Sequence, residues 1–539
     1  MAVFDMLLED ESTSTGTSSK QFYGCYPVNA DTGAVSDLHY LVDVPPSLDL
    51  SDSFTDAEWW MSVPGGSIDA STSTVTVPDA SKLAVTTVQP ALVEHRYLST
   101  KHASRHLAET KGNLKVLVVY IEAADAVPTP SAQDIYLSVF ENEVSLKWQY
   151  YHCSNEQLKL EPTELNVLTV KLDLKVAKND QIAMVNAAEQ AAVSAIQDVT
   201  GDSTFGNSRQ YADLVLYVVP PGTGNWLAYA SLGGGMSVYN DLWGLYLAAQ
   251  AHEVGHNLGL RHAGDGESQY GDHTGFMGGA IMGVHDTTNF PAMCYNAAHH
   301  WQLGWYKETF KATVDPAVPT LVKVIAFSDQ DKGVTGFDHV LVQTGQNQDL
   351  YMQYNRATGV NADVYDYRDM LVVVSDTGDD GTWIEASLSK DDQAVYERKE
   401  SSGKTLRIEV CSETQTSNPN KPDYMVVSVG YGNTLCSQVI AGLGSFTMYQ
   451  NALLEIPIPV QAVVDDGTCR GPSATCASDG QCCSGNCHFN TCGGAYDGVP
   501  KSTGDYNLSG DGGAFDRNRG GRKTLRGLKQ HQAHQQPFY

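Results

Sequence analysis

Eleven residues, from His252 to His262, fit the pattern H-E-x-x-H-x-x-G-x-x-H at every specified position. Residues four apart lie on one face of a helix, so His252 and His256 point the same way. Gly259 can adopt a positive φ at no steric cost, which ends the helix and turns the chain so that His262 returns toward the pair. We therefore predict that His252, His256 and His262 are ligands of one metal ion.

The chemistry of this pattern favours a catalytic metal. Neutral imidazole is a good zinc ligand, and three protein ligands leave a fourth position open. A structural zinc site normally has four protein ligands, so three indicate a catalytic Zn²⁺. Glu253 follows the first ligand directly and can take a proton from the attacking water. We therefore predict Glu253 as the catalytic residue and Zn²⁺ as the cofactor.

The length and charge of the chain limit its organisation and its partners. A chain of 539 residues is too long for one ordinary hydrophobic core, which predicts several domains. The net charge is −29, and an acidic surface argues against binding to nucleic acid. One basic run lies in a Gly/Gln/His-rich C-terminal tail, which we predict to be disordered. This run consists of Arg517, Arg519, Arg522, Lys523, Arg526 and Lys529.

Membrane and export segments are not evident in the sequence. Because the chain has no run of eighteen apolar residues, we expect no transmembrane segment. The first ten residues, MAVFDMLLED, lack a basic start and a long apolar stretch, so we expect no signal peptide within this sequence. The cysteines nevertheless indicate an oxidising, extracellular environment.

Six cysteines fall close together near the C-terminus: Cys469, Cys476, Cys482, Cys483, Cys487 and Cys492. A segment this short cannot form a sufficient apolar core, so disulfides must stabilise it. The spacing resembles that of the inhibitor cystine knot, which implies the pairs Cys469–Cys483, Cys476–Cys487 and Cys482–Cys492. Sequence alone allows fifteen connectivities, and a zinc cluster is the alternative interpretation. Adjacent Cys482 and Cys483 suit a knot better.

Five further cysteines lie outside this segment. We predict a disulfide between Cys411 and Cys436, which lie in one β-rich region. Cys25, Cys153 and Cys294 remain, and since their number is odd the sequence leaves their pairing open.

Apolar patterning and turn residues divide the chain into six regions. We predict a loose N-terminus at 1–20, a β-rich region and possible prodomain at 21–110, and a catalytic domain at 111–310. A β-sandwich-like domain at 311–464, the knot at 465–495 and a disordered basic tail at 496–539 follow.

The catalytic domain has a recognisable order of predicted elements. A buried strand at 115–121 precedes a helix capped by Asp180 and running to about Val199. A strand at 211–219 and a broken strand at 226–239 follow, and Asp241 then opens the helix that carries the histidines. Residues 231–239 are a candidate edge strand that could hold an extended substrate.

Five short blocks within residues 110–310 resemble the gametolysin family of metzincin metalloproteases, with weaker similarity to about residue 375. The blocks are GNLKVLVV (112–119), CSNEQL (153–158), YGD (270–272) with MG (277–278), CYNA (294–297) and WQLGWY (301–306). The predicted order of elements is also that of a metzincin N-terminal subdomain. The expected fold class is therefore α+β: a metzincin-like α/β catalytic domain, a β-sandwich-like domain and a small disulfide-rich knot.

The resemblance implies a secreted or wall-associated zinc endopeptidase. Its substrate would be a protein or glycoprotein of the extracellular matrix or cell wall, and we expect a monomer located outside the cell or in the cell wall. The alternative is an inactive metzincin scaffold that binds a carbohydrate or a receptor.

The resemblance also suggests a methionine beneath the metal and a change in disulfide pairing. Met277 matches the family segment, while Met293 is the alternative because Met293-Cys294-Tyr295 resembles a turn in which tyrosine can ligate zinc. A family cysteine shortly before the Met-Gly pair is Gly275 here, so Cys294 would pair with Cys153 or stay free. One catalytic zinc needs three histidines, so we do not expect His273, His285, His299 or His300 to be ligands.

Overall fold

The structure is a computed structural model, and the residues it describes are 2–10, 18–26, 40–43, 59–62, 67–69, 74–77, 84–86, 109–178, 180–278, 291–332, 338–344, 350–378, 381–432, 436, 487–488 and 491–492. These residues form a mixed α+β protein with several sheets and few helices, which confirms the α+β class. The chain divides into two compact units, Met1–Ile458 and Pro459–Tyr539.

The N-terminal region contributes two strands of nine residues and several strands of three or four residues. They are β1 (Ala2–Asp10), β2 (Ser18–Tyr26), β3 (Tyr40–Asp43), β4 (Trp59–Ser62), β5 (Ser67–Asp69), β6 (Thr74–Thr76) and β7 (Ala84–Thr86). β1 and β2 pair antiparallel over their full length, from Ala2 opposite Tyr26 to Asp10 opposite Ser18.

The next five strands form the sheet that carries the histidine motif. They are β8 (Gly112–Glu122), β9 (Leu158–Lys171), β10 (Leu214–Val219), β11 (Trp226–Ser231) and β12 (Met236–Asn240). Their order is β9-β8-β10-β12-β11, and all neighbours run parallel except β12 and β11. The strand predicted at 115–121 is confirmed as part of β8.

Five α-helices accompany these strands in the described part of the chain. They are α1 (Ala132–Tyr136), α2 (Leu146–Cys153), α3 (Gln181–Thr200), α4 (Leu247–Asn257) and α5 (Ala297–Gln302). A π-helical turn, Leu137–Glu141, continues α1. Short 3₁₀ turns lie at Val176–Lys178, Ser208–Gln210, Asp241–Gly244, Glu308–Phe310, Phe327–Asp329 and Gly359–Asn361.

The two faces of the central sheet bury different helices. Leu117, Val119 and Ile121 of β8 join the core beneath α3. Val116 and Val118 point to the opposite core, which contains α2 and the motif helix α4. Both faces of the strand are therefore covered, which explains its unbroken apolar sequence.

The predicted caps of the two long helices have different outcomes. Asp180 caps α3, because its side chain accepts the Ala183 N–H at 2.9 Å, and Gly201 ends the helix with φ 69°. The prediction that Asp241 opens the motif helix is wrong. Asp241 has φ 53° and starts a 3₁₀ turn, and α4 begins only at Leu247.

The prediction of an edge strand at residues 231–239 is also wrong. This range contains the turn between β11 and β12, and β12 lies inside the sheet between β10 and β11. β11 instead borders β1, which pairs antiparallel with it and places Met6 opposite Ser231 and Leu7 opposite Ala230.

Ten strands follow the motif. They are β13 (Ala263–Gly264), β14 (Lys311–Val314), β15 (Thr320–Ile325), β16 (Leu341–Thr344), β17 (Leu350–Asn355), β18 (Met370–Asp376), β19 (Thr382–Leu388), β20 (Val395–Lys399), β21 (Thr405–Thr414) and β22 (Tyr424–Tyr431). One sheet has the order β13-β19-β18-β17-β16-β14, and a second has the order β15-β22-β21-β20.

The first of these sheets connects two hydrophobic cores. Leu371 and Val373 of β18 lie in a cluster shared with the second sheet. Val372 and Val374, which point the other way, lie in the cluster that also contains α4. The sheet therefore shares a hydrophobic core with the helix of the histidine motif.

The second compact unit contains one small hairpin among the described residues. β23 (Cys487–His488) pairs antiparallel with β24 (Thr491–Cys492), and Cys487 lies opposite Cys492. The other four predicted knot cysteines and the basic tail lie outside the described residues. In the part of the chain that the structure describes, no helix combines the length and hydropathy needed to cross a membrane.

Candidate metal centre

The helix that carries the first two histidines is held from both ends. All eleven residues of α4 are buried. Near its start, the Gln250 side chain donates to the Gly244 carbonyl at 2.7 Å. At its end, the Asn257 side chain donates to the carbonyls of Ser231 (3.0 Å) and Met236 (2.7 Å), in the β11–β12 hairpin. The helix therefore has a fixed position on the sheet.

The structure brings the three predicted ligands together. The side-chain ligand atoms of His252, His256 and His262 all lie within 4.8 Å of one another, and all three residues are buried. Gly259 has φ 92°, as expected for the residue that turns the chain out of the helix. The Leu260 N–H donates to the Gly255 carbonyl at 3.0 Å and secures this turn.

Hydrogen bonds select the tautomer of the two helical histidines. The Nδ1 of His252 lies 2.7 Å from the Phe276 carbonyl, and the Nδ1 of His256 lies 2.7 Å from the Leu260 carbonyl. Because a carbonyl only accepts, Nδ1 is the donor in each ring, and in the neutral ring the lone pair is on Nε2. This is the arrangement found in metal-binding histidines, so the donor set fits a Zn²⁺ ion.

Glu253 directly follows His252 on this helix and is fully buried. The pKa of Tyr239, on β12, is raised well above its usual range. The larger cause is burial, and the second is the negative charge of the nearby Glu253 carboxylate. Tyr239 therefore stays a neutral phenol, and its hydroxyl donates to the Ser237 hydroxyl at 3.0 Å.

Met277 lies directly beneath the ligand helix. A Cβ atom added to Gly255 would overlap the Met277 sulfur and lie 3.1 Å from the Tyr295 hydroxyl. Gly255 stands between His252 and His256 in the motif, so the absence of a side chain there lets methionine and tyrosine approach. Met293 is buried too, but its carbonyl accepts from the Gln149 side chain.

Tyr295 supports the helix through its hydroxyl group. This group donates to the Ala251 carbonyl at 2.8 Å, and Tyr150 of α2 reaches the same carbonyl at 3.1 Å. Burial raises the pKa of Tyr295 above its usual range, which keeps it a neutral donor.

A disulfide holds Tyr295 in this place. Cys153, the last residue of α2, bonds Cys294, so the structure resolves the pairing that the sequence leaves open. Gly275 packs closely against the backbone of Tyr295 and Asn296, and a Cβ atom at Gly275 would lie 2.9 Å from the Asn296 nitrogen. The predicted Cys411–Cys436 disulfide is confirmed.

Among the described residues, no histidine besides these three joins the cluster. His273 pairs with Asp366 at 2.7 Å, and His285 lies outside the described residues. His299 and His300 are buried on α5, where desolvation lowers their pKa values to about 3 and about 4. The His300 ring contacts the Gln353 side chain at 3.0 Å.

Sequence reasoning assigned no role at the metal site to two residues beside the third histidine, Tyr270 and Thr382. The Tyr270 ring lies 4.3 Å from the His262 ring, centroid to centroid. The Thr382 N–H, at the start of β19, donates to the His262 carbonyl at 3.0 Å. The contact with Thr382 had no local signal, because it joins residues far apart in the chain.

A buried helix with two histidines one turn apart, a glycine turn and a third histidine defines a site suited to one metal ion. Residues 114–370 match the sequence model of the family described as Gametolysin peptidase M11. The matched region includes the three histidines and Glu253.

One relative is autolysin of Chlamydomonas reinhardtii. It is 33% identical to this chain over 107 residues, a segment that covers 19% of this chain and 16% of autolysin. The matched part is thus a small fraction of the relative's own length.

Proposed function

We propose that this protein is a zinc-dependent endopeptidase of the metzincin type. One observation carries the proposal: three histidines with ligand atoms within 4.8 Å lie next to a buried glutamate, inside a region of the gametolysin peptidase family. His252, His256 and His262 would hold the ion. Zn²⁺, when bound, would polarise the scissile carbonyl and lower the pKa of the attacking water.

Glu253 is the general base of the proposed reaction. It takes a proton from the attacking water and passes it to the leaving amine, so that no charged amide nitrogen has to leave. Its position favours this role, because Glu253 directly follows the first ligand on a fully buried helix. Met277 forms the floor of the site, because it packs against the helix between two ligands.

The substrate would bind along β11. This strand reaches the metal site at its Ser231 end, where Asn257 of α4 donates to the Ser231 carbonyl and Gly233 donates to the His256 carbonyl at 2.8 Å. An extended peptide added to the outer edge of β11 would therefore run past the histidines. β1, at Ala2–Asp10, lies on this edge, so we extend the possible prodomain from the predicted 21–110 to include this strand as a removable cover.

The wider setting belongs to the same proposal. We place the protein outside the cell or in the cell wall, as a monomer that cleaves matrix or wall glycoproteins. Two disulfides among the described residues support an oxidising location. The region 311–464 would be a β-sandwich-like domain, since its two sheets share one core, and residues 465–495 a cystine knot.

The test contrasts Glu253→Gln with His256→Ala. Glu253→Gln should keep about one zinc per chain but lower peptide hydrolysis by about 10²–10⁴-fold, the range for loss of a positioned base. His256→Ala should lose both zinc and activity, because two ligands hold the ion poorly. Zinc content by elemental analysis and cleavage of a peptide, with and without chelator, measure both effects. Full activity in Glu253→Gln would refute the mechanism.

A further inference from the structure

The third histidine is supported differently from the first two. His252 and His256 stand on a buried helix, whereas His262 lies on the connection that follows it. Directly after His262, β13 pairs in parallel with the start of β19, with Ala263 opposite Thr382 and Gly264 opposite Trp383. The direction of the His262 side chain thus depends on a strand from far along the chain.

The main chain of residues 381–382 packs against the His262 backbone. The Thr382 N–H donates to the His262 carbonyl at 3.0 Å. Gly381 has φ 83°, and a Cβ at this position would overlap the same carbonyl oxygen. Only glycine fits, because the backbone is left-handed and a side chain would displace the ligand's main chain.

The Thr382 side chain closes a buried hydrogen-bond ring around the same segment. The Asn296 side-chain amide donates to the Thr382 hydroxyl and to the Asp272 carboxylate, at 2.8 Å each. The Asp272 N–H in turn donates to the Ala263 carbonyl at 3.1 Å. These three side chains are buried, so the ring holds residues 262–263 from two sides.

We propose that Gly381 and Thr382 are positioning residues for the third metal ligand. By clamping the His262 carbonyl, they set the direction in which the His262 imidazole faces the other two ligands. The inference rests on the proposed zinc site and adds to it a dependence on β19. Residues that orient metal ligands typically change metal affinity by about 10–100-fold when altered.

Gly378 supplies a matched control for Gly381. The two glycines are hydrogen-bonded to each other, because the Gly381 N–H donates to the Gly378 carbonyl at 3.0 Å. Gly378 has φ 74°, but a Cβ there would meet nothing within 4 Å. The left-handed backbone should therefore strain an alanine to a similar degree at both positions. Only Gly381→Ala should also displace the His262 carbonyl.

The experiment measures metal binding in the full chain. Zinc dissociation constants come from competition with a chromophoric chelator, and the visible absorption bands of the Co²⁺-substituted protein report ligand geometry. Gly381→Ala should weaken zinc binding by about 10–100-fold and change the Co²⁺ bands. Gly378→Ala should keep the affinity and the spectrum of the parent. Equal behaviour of the two variants would overturn the inference.

Thr382→Val keeps the test decisive if Gly381→Ala does not fold. Valine preserves the shape and the main-chain N–H, and removes only the hydroxyl that accepts from Asn296. We expect a several-fold loss of zinc affinity with altered Co²⁺ bands, and unchanged values in folded protein would overturn the inference. Failure of the parent chain to bind one zinc would instead refute the proposed function.

Discussion

Removing the Cys153–Cys294 disulfide should destabilise the protein more than removing Cys411–Cys436. The first bond joins residues 141 apart in sequence, and the second joins residues 25 apart. A disulfide limits the conformational entropy of the unfolded chain, and this effect grows with the logarithm of loop length. The relation gives about 5 kcal/mol for the longer loop and about 3.5 kcal/mol for the shorter one.

The double variants Cys153→Ala/Cys294→Ala and Cys411→Ala/Cys436→Ala test this difference. Alanine avoids leaving polar groups in sites that are buried in the folded protein. Urea unfolding of the zinc-free proteins, followed by tryptophan fluorescence, should give free energies of unfolding that differ by about 1.5 kcal/mol. A larger loss from the Cys411–Cys436 pair would refute the loop-length reasoning.

The two bonds should also differ in their effect on the metal. Cys294 precedes Tyr295, whose hydroxyl holds the Ala251 carbonyl of α4. Cys411 lies in a separate small cluster with Leu321 and Val426. Zinc affinity should therefore fall only when the Cys153–Cys294 bond is lost. An equal fall in both variants would show that general destabilisation, and not the tyrosine contact, controls the metal.

Two further predictions concern the N-terminal strand and a buried histidine. Deleting residues 1–108 should expose the outer edge of β11 and raise peptide hydrolysis several-fold, measured as kcat/KM; an unchanged rate in folded protein would exclude the cover role of β1. His300 has a pKa lowered from 6.5 to about 4 by burial, so the unfolded chain binds more protons between these pH values. Its contribution to stability is present above pH 6.5 and is lost as the pH falls toward 4. In zinc-free protein, His300→Gln should reduce the slope of the unfolding free energy against pH between pH 4 and 6.5, by up to about 1.4 kcal/mol per pH unit. An unchanged slope would contradict the lowered pKa of His300.

Local patterns predicted the elements whose signals lie within one segment. The apolar run of β8, the Asp180 cap and the spacing of His252 and His256 all depend on neighbouring residues, and the structure contains each of them. Asp241 misled because an acidic residue at a helix start also suits a 3₁₀ turn, and its positive φ has no sequence signal.

Long-range pairing explains the rest. β9 is a strand with mixed burial along its length, so no clear period marks it. The approach of β1 to β11, the bond from Cys153 to Cys294 and the clamp of Thr382 on His262 join distant parts of the chain. Such contacts depend on how sheets and helices pack together, so local patterns in a single sequence do not predict them.

The sheet behind the histidines determines how the protein can be divided into fragments. The family match ends at residue 370, which is the first residue of β18. A fragment ending there would lack nearly all of β18 and the whole of β19. It would therefore lose the strand that pairs with Ala263, and the β18 side chains that fill a hydrophobic core on each face of the sheet. The end of the sequence match therefore falls inside a packed sheet. The shortest fragment that keeps these cores and the Cys411–Cys436 disulfide extends beyond β22, to Cys436.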